Sequence, residues 1–403
     1  MESVDAYLAE ILAEIRPLAP RELSLEDADG GVLAEDITAR WPLPPFDNSS
    51  MDGYAVRAAD VAAATADSPV LLPVTGEVTA GDTREHELAP GNCLRITTGA
   101  PLPAGADAVV PVELTDGGTA RVAISAAVTP GTSIRRAGGD AVPGDPLLTA
   151  GSRLGPAPLG LLAAAGHVAV LARPRPRVAV FSTGNELAPP GTPLERGRIW
   201  ESNSLMLASA ARQAGADAVR HPSVPDDPGR VLAVIEDAAS RADLLVTSGG
   251  VSMGGEHDVV KAALQQLGTV RFRKVAMQPG MPQGFGVIGK DSTPILTLPG
   301  NPVSAFVSFQ LFVRPALGAL QGSADGRRPT SRAVLSAPLR SPPDKRSFLR
   351  GVLAADGTEV TPLSGQASHQ LAALARANAL IVVPEQVTSM REGDAAEVIR
   401  LDG

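Results

Sequence analysis

The spacing of apolar and polar positions divides the chain into segments of different kinds. Val4, Tyr7, Leu8, Ile11, Leu12 and Ile15 recur at helical intervals between Ser3, a natural cap, and the break at Pro17, which predicts a packing helix. Over residues 70–128 the rhythm becomes short β-branched runs cut by Gly, Pro and Asp, the pattern of a small β-rich module. Further on, four apolar runs each pass through a polar loop into a stretch of helical spacing. They are Val178-Ala179-Val180-Phe181, residues 217–221, Leu244-Leu245-Val246 and Ile295-Leu296-Thr297-Leu298. Asp227 before Pro228, Asp258 before Val259, and Asn301 before Pro302 stand where helix caps belong. That alternation predicts a parallel, doubly wound sheet over about residues 177–320, with its loops gathered at the carboxyl ends of the strands. Behind Gly326-Arg327-Arg328-Pro329, short alternating strands with turns at Pro342-Pro343 and Asp356-Gly357 predict a small β-barrel or sandwich of about 75 residues.

The chemistry collects in the loops. Leu244-Leu245-Val246 breaks into Thr247-Ser248-Gly249-Gly250 and Gly254-Gly255 before helical spacing resumes. Glycines admit positive φ and bring backbone N–H groups close to a ligand, and a helix start favours anions, so a phosphate is expected there; a purely steric turn is the plain alternative. The predicted topology brings Glu186, Asp226, Asp227, Ser248, Asp258 and Asn301 to one edge. Singly each serves as well for a cap as for a ligand, and jointly they make a site. Neither Gly-x-Gly-x-x-Gly nor Gly-x-x-x-x-Gly-Lys-Ser/Thr occurs, which removes the common dinucleotide and P-loop readings. A second polar cluster, Asp47-Asn48-Ser49-Ser50-Met51-Asp52, packs carboxylates, an amide and hydroxyls into one loop, as a metal-assisted site or a set of Asx turns would. Arg346, Arg350 and Gln366-Ala367-Ser368-His369 read as solvated surface.

Composition narrows the classes. The 403 residues exceed one ordinary core, and 41 Gly with 36 Pro argue for many turns. A net charge of −9 speaks against a nucleic-acid partner. One cysteine, Cys93, excludes an internal disulfide and fits a reducing cytoplasm. The N-terminus lacks the parts of a signal peptide, no apolar run is read as a membrane span, and the five histidines show no zinc-ligand spacing.

Five motifs together closely resemble one family, the molybdopterin molybdenumtransferases, bacterial relatives of the gephyrin E domain. They run in the family's order across essentially the whole chain: Pro45-Phe46-Asp47-Asn48-Ser49-Ser50-Met51-Asp52-Gly53-Tyr54-Ala55, Arg95-Ile96-Thr97-Thr98-Gly99-Ala100-Pro101, Ser182-Thr183-Gly184-Asn185-Glu186-Leu187, Ser248-Gly249-Gly250-Val251-Ser252 and Leu298-Pro299-Gly300-Asn301-Pro302-Val303-Ser304. The resemblance implies a multidomain α/β plus β subunit. Its parts are an elongated N-terminal domain (residues 1–45 with 138–176), an inserted β-rich domain (46–137), a doubly wound molybdopterin-binding domain (177–326) and a C-terminal β-barrel (327–403). It implies magnesium-dependent insertion of molybdate into adenylylated molybdopterin with release of AMP, downstream of a molybdopterin adenylyltransferase. The implied assembly is a homodimer whose active site is shared between subunits.

By motif, Asp52 and Thr98 match positions that reach the site from the second domain, while Glu186, Asp226 and Asp258 match catalytic positions of the cleft. Glu186 and Asp258 are the implied magnesium ligands. Ser182, Thr183, Gly184, Ser248, Gly249, Gly250, Pro299, Gly300, Asn301, Pro302 and Ser304 match substrate-binding turns. Asp140, Lys274, Arg346 or Arg350, and Ser368 match further substrate contacts. The chain departs from the family at one turn: Gln278-Pro279-Gly280-Met281-Pro282 stands where two lysines are usual. A dianion loses two cations there, which keeps open a binding paralogue of weak or no turnover, or a non-catalytic scaffold.

Overall fold

The computed structural model describes residues 1–251, 259–323 and 326–401. The chain forms two compact units, Met1–Ala34 with Arg153–Gly155 and Val170–Gly403, and Glu35–Ser152 with Pro156–Ala169.

The first unit is built on a six-stranded sheet in the order Asp217–Arg220, Arg177–Ser182, Leu244–Ser248, Thr293–Leu298, Pro282–Ile288 and Val270–Lys274. The four predicted strands pair in parallel. The last two add an antiparallel extension that the periodicity did not reveal, so the sheet is mixed at one edge. Residues 282–288 read Pro-Gln-Gly-Phe-Gly-Val-Ile, and their glycines and proline hide the strand pattern. Alternate residues of the parallel strands go to opposite, equally buried faces. Val178, Val180, Leu244, Val246, Leu296 and Leu298 join one core with Leu207, Val303, Val307 and Phe312. Ala179, Phe181, Leu245 and Ile295 join the other with Val231, Ile235, Val260 and Leu264. Burial on both faces is why these strands read as unbroken apolar runs.

The helix Val4–Glu14 is capped by the Ser3 hydroxyl and packs Tyr7 edge-on against Phe312, with ring centroids 4.9 Å apart. Phe312 lies in the helical stretch Pro302–Leu320, which widens to a π-turn over Phe309–Val313. Pro315 lacks the N–H that would bond Leu311, and the wider turn absorbs the loss. That stretch is long and apolar enough to cross a membrane by composition, yet 78% of it is buried in the fold, which marks a core helix.

The C-terminal strands close a five-stranded barrel. Arg346–Leu353 pairs with both Glu359–Pro362 and Ala379–Val383, and Thr330–Leu335 with Glu359–Pro362 and Ala395–Arg400. The pairing of Ala379–Val383 with Ala395–Arg400 completes the ring. Met277–Gln278 adds in parallel to Arg346–Ser347 and so anchors the turn at residues 278–282 to the barrel wall.

The second unit holds a five-stranded sheet in the order Ala108–Pro111, Gly53–Val56, Cys93–Ile96, Val70–Val78 and Arg121–Ile124. Its core gathers Tyr54, Val56, Val110, Val122 and Cys93. Burial pushes the Cys93 thiol up to about 12, so it stays protonated and inert.

Candidate active site

Three of the four parallel strands end on one cavity of about 760 Å³ in the first unit. Its walls include Ser182, Thr183, Gly184 and Glu186 after the first strand in chain order, Ser248, Gly249 and Gly250 after the third, and Pro299, Gly300, Asn301, Pro302 and Ser304 after the fourth. Asp226 comes from the loop beyond the second. The carboxyl ends of parallel strands are where an open α/β sheet leaves its crevice.

Backbone conformation shapes these turns. Gly184 has φ +150°, and a Cβ there would lie 2.3 Å from a Glu186 carboxylate oxygen, so only glycine lets Glu186 fold back over the turn. Gly249 has φ +96°, and a Cβ there would meet the Thr183 carbonyl at 2.6 Å. Asp226 and Asn185 clasp each other: the Asn185 N–H donates to the Asp226 carboxylate and the Asp226 N–H to the Asn185 amide oxygen, both at 3.0 Å.

Several wall residues carried no motif. Glu201 is 5% exposed, and its carboxylate accepts from the Ser182 hydroxyl at 2.7 Å, the Ser204 N–H at 2.7 Å and the Ser204 hydroxyl at 2.6 Å. It thereby locks the start of the helix Asn203–Gln213 to the end of the first strand. From that helix start Asn203 Nδ2 donates to Ser248 Oγ and to the Gly300 carbonyl, both at 2.7 Å, tying two strand ends together. Asn203 Oδ1 and Thr183 Oγ1 are buried without a hydrogen-bond partner within the protein. Ile199, Trp200, Gln278, Pro279, Gly280 and His369 complete much of the rest of the wall. Glu201 and Asn203 carried only the signal of polar residues directly before a helical run, whereas residues 278–280 and His369 lie in stretches the sequence had already set apart.

Asn301 stands at the predicted N-cap position, but its side chain makes no cap bond. It donates instead to Ser368 Oγ at 3.0 Å, and the Ser368 carbonyl takes the Val303 N–H at 3.0 Å. The segment 366–369 is partly exposed, as expected, but it also caps a core helix through the Ser368 carbonyl and supplies Ser368 and His369 to the cavity.

The expected cations lie elsewhere. Arg350 is fully buried, with Nη2 donating to the Gly365 and Ala367 carbonyls, while Gln366 bonds its backbone on both sides. Arg346 is held by Asp5 and Glu385, and the hydrogen bond to Asp5 raises its pKa. Lys274 is exposed at the end of the strand Val270–Lys274. Among the described residues no lysine or arginine lines the cavity. Asp258 lies outside the described residues. In the second unit the Asp52 carboxylate accepts from the Thr98 N–H at 2.6 Å and the Thr98 hydroxyl at 2.9 Å, and the backbone bond first, then the hydroxyl, lowers its pKa. Asp140, also in that unit, is exposed, with its N–H on the Leu43 carbonyl.

Known proteins give this arrangement its class. Residues 179–319 match the family model described as "Probable molybdopterin binding domain", residues 2–166 the MoeA N-terminal region (domain I and II), and residues 332–401 the MoeA C-terminal region (domain IV). The chain belongs to the molybdopterin molybdenumtransferase family, enzymes of molybdenum cofactor biosynthesis. It is 47% identical to molybdopterin molybdenumtransferase 2 of Mycobacterium tuberculosis over 99% of both chains. It is 35% identical to the Bacillus subtilis molybdopterin molybdenumtransferase over 94% of this chain and 89% of that one. A crystal structure of the MoeA protein of Pyrococcus horikoshii superposes with a TM-score of 0.75 at 33% identity, covering 100% of this chain and 99% of that one.

Proposed function

We propose that this enzyme inserts molybdate into adenylylated molybdopterin and releases AMP, in the cavity at the strand ends. The observation that carries this reading is the convergence of three Gly-, Ser- and Pro-rich turns on one cavity of about 760 Å³, a size that takes a nucleotide-bearing substrate. In this reading the phosphates lie against the turns at 182–184 and 248–250, whose Thr183, Gly184 and Gly249 N–H groups are bonded to the Ser248, Val224 and Leu298 carbonyls, so the close approach that glycine allows is what seats them. The Ser368 hydroxyl, held by Asn301 beside the Pro302 helix start, donates to the molybdate oxygens, Lys274 adds positive charge, and Asp140, like Asp52, is assigned a substrate contact without a place in this cavity.

The reading includes magnesium. Glu186 and Asp226 offer the hard oxygen donors such an ion takes, and Asp258 is the third candidate. Among the described residues no three His, Cys, Asp or Glu side chains gather; magnesium commonly completes its shell with substrate phosphates and water. When bound, the ion offsets phosphoanhydride charge. Asp52, kept ionised by Thr98, is assigned to the site of the partner copy in a homodimer. An adenylyltransferase acting on molybdopterin supplies the substrate, and we assign the reaction to the cytoplasm.

Incubation with adenylylated molybdopterin, magnesium and molybdate, following AMP release and cofactor formation, tests the activity. Mixing Asp52→Ala with Glu186→Ala protein under subunit exchange tests the shared site. Restored AMP release supports it; proven exchange without recovery removes it.

A further inference from the structure

Trp200 stands at the rim of the cavity, 52% exposed. Burying an aromatic ring is strongly favourable, so a tryptophan left half in water beside a ligand cavity has a face to offer. Its placement is rigid. Ile199–Trp200 pairs in parallel with Leu187–Ala188, the Ile199 N–H donates to the Glu186 carbonyl at 2.8 Å, and the Glu201 N–H to the Ala188 carbonyl at 2.8 Å. The indole N–H donates to the Thr192 carbonyl at 2.8 Å. The polar end of the ring is thus satisfied by the protein. The next residue is Glu201, whose three hydrogen bonds fix the frame. Exposed Ile199, beside it, also lines the wall.

We infer that Trp200 is a stacking platform for a planar heteroaromatic ring of the substrate, positioned on the strand pair that directly follows Glu186. The inference rests on the reading of the cavity proposed above and adds a recognition element to it: the turns grip phosphate, and Trp200 selects a ligand with a flat ring beyond the phosphates. Two rings meet that chemistry, adenine and pterin, and separate probes distinguish them.

AMP and 6-hydroxymethylpterin are titrated by calorimetry into the wild type, Trp200→Leu and Trp200→Phe. Leucine keeps apolar bulk at the rim without a π-face, and phenylalanine keeps the π-face without the N–H. Stacking on an aromatic side chain predicts a loss of about tenfold in affinity for one of the two ligands in Trp200→Leu, largely recovered in Trp200→Phe. The ligand affected names the ring. The chain has two tryptophans, so in Trp41→Phe the emission reports Trp200 alone, and the stacked ligand quenches it. Equal affinities of Trp200→Leu and wild type for both ligands, where the wild type binds at least one, overturn the platform while leaving the cavity's assignment intact. A wild type that binds neither ligand overturns the cavity's assignment, and the platform with it.

Discussion

The strand ends of the sheet and the wall of the C-terminal barrel both carry polar residues that the family motifs single out, yet the fold uses them in opposite ways. At the strand ends Glu186 and Asp226 present carboxylates to a cavity. In the barrel the cationic groups are consumed by the scaffold. Arg350 is sealed inside, holding the segment 365–367 by its carbonyls, and burial lowers its pKa. Arg346 bridges Asp5 and Glu385. The contrast teaches that a charged residue in a motif is a ligand group only if its charge is not already spent within the protein. For Arg350 the spending is itself useful, because the segment it holds delivers Ser368 and His369 to the cavity.

If that contrast holds, the largest effect comes from Arg350. Arg350→Ala removes both guanidinium contacts and opens a void in the barrel, so chemical denaturation should show a loss of about 2–4 kcal/mol. Arg350→Met, which fills the volume, should lose less. An arginine working on the oxyanion would give the reverse, with stability intact and molybdate response gone.

Glu201 comes next, since its carboxylate serves three donors in a buried frame. Glu201→Gln should cost about 1–3 kcal/mol and raise the substrate concentration needed for half-maximal AMP release. A variant as stable as the wild type, with unchanged kinetics, would strip Glu201 of its positioning role.

Gln278 offers a way to reverse the contrast by adding a free charge. It lines the cavity and is exposed, whereas Met281 is not among the wall residues described. Gln278→Lys should lower the molybdate concentration for half-maximal cofactor synthesis by about tenfold, and Met281→Lys alone should leave it unchanged. The same molybdate curve in both would put the oxyanion elsewhere.

The smallest effect belongs to the pair of exposed Asp5 with partly buried Arg346. The Arg346 hydrogen bond holds the Asp5 carboxyl below its usual pKa, so the pair's contribution is complete above the ordinary carboxylate range. It is lost as pH falls through the lowered folded-state value. Asp5 is largely in water, so Arg346→Ala should cost less than about 1 kcal/mol at pH 7. Acid-denaturation curves of variant and wild type should converge below the folded Asp5 value and separate above it.

What the sequence determined on its own was whatever short-range physics controls. Continuous apolar runs announced strands covered on both faces, helical spacing announced the covering helices, and Ser3 and Asp227 capped where they were expected to. The positive-φ turn at Gly249 and Gly250 was also legible, since glycine is the residue that such a turn demands. The antiparallel edge strands were not, because Gly284 and Gly286 sit where a Cβ would collide with Thr297 and with the Thr269 carbonyl, and a strand rich in glycine loses its alternation. Only the tertiary structure decided which charges are free. Arg350 and Glu201 are each one polar letter in a sequence, and their burial, partners and distance from the cavity depend on segments that contact brings together: residues 365–367 for one, Ser182 and Ser204 for the other. The same holds for Asn301, which looks like a cap in sequence and spends its amide on Ser368, 67 residues away, because the barrel's own loop reaches the helix start first.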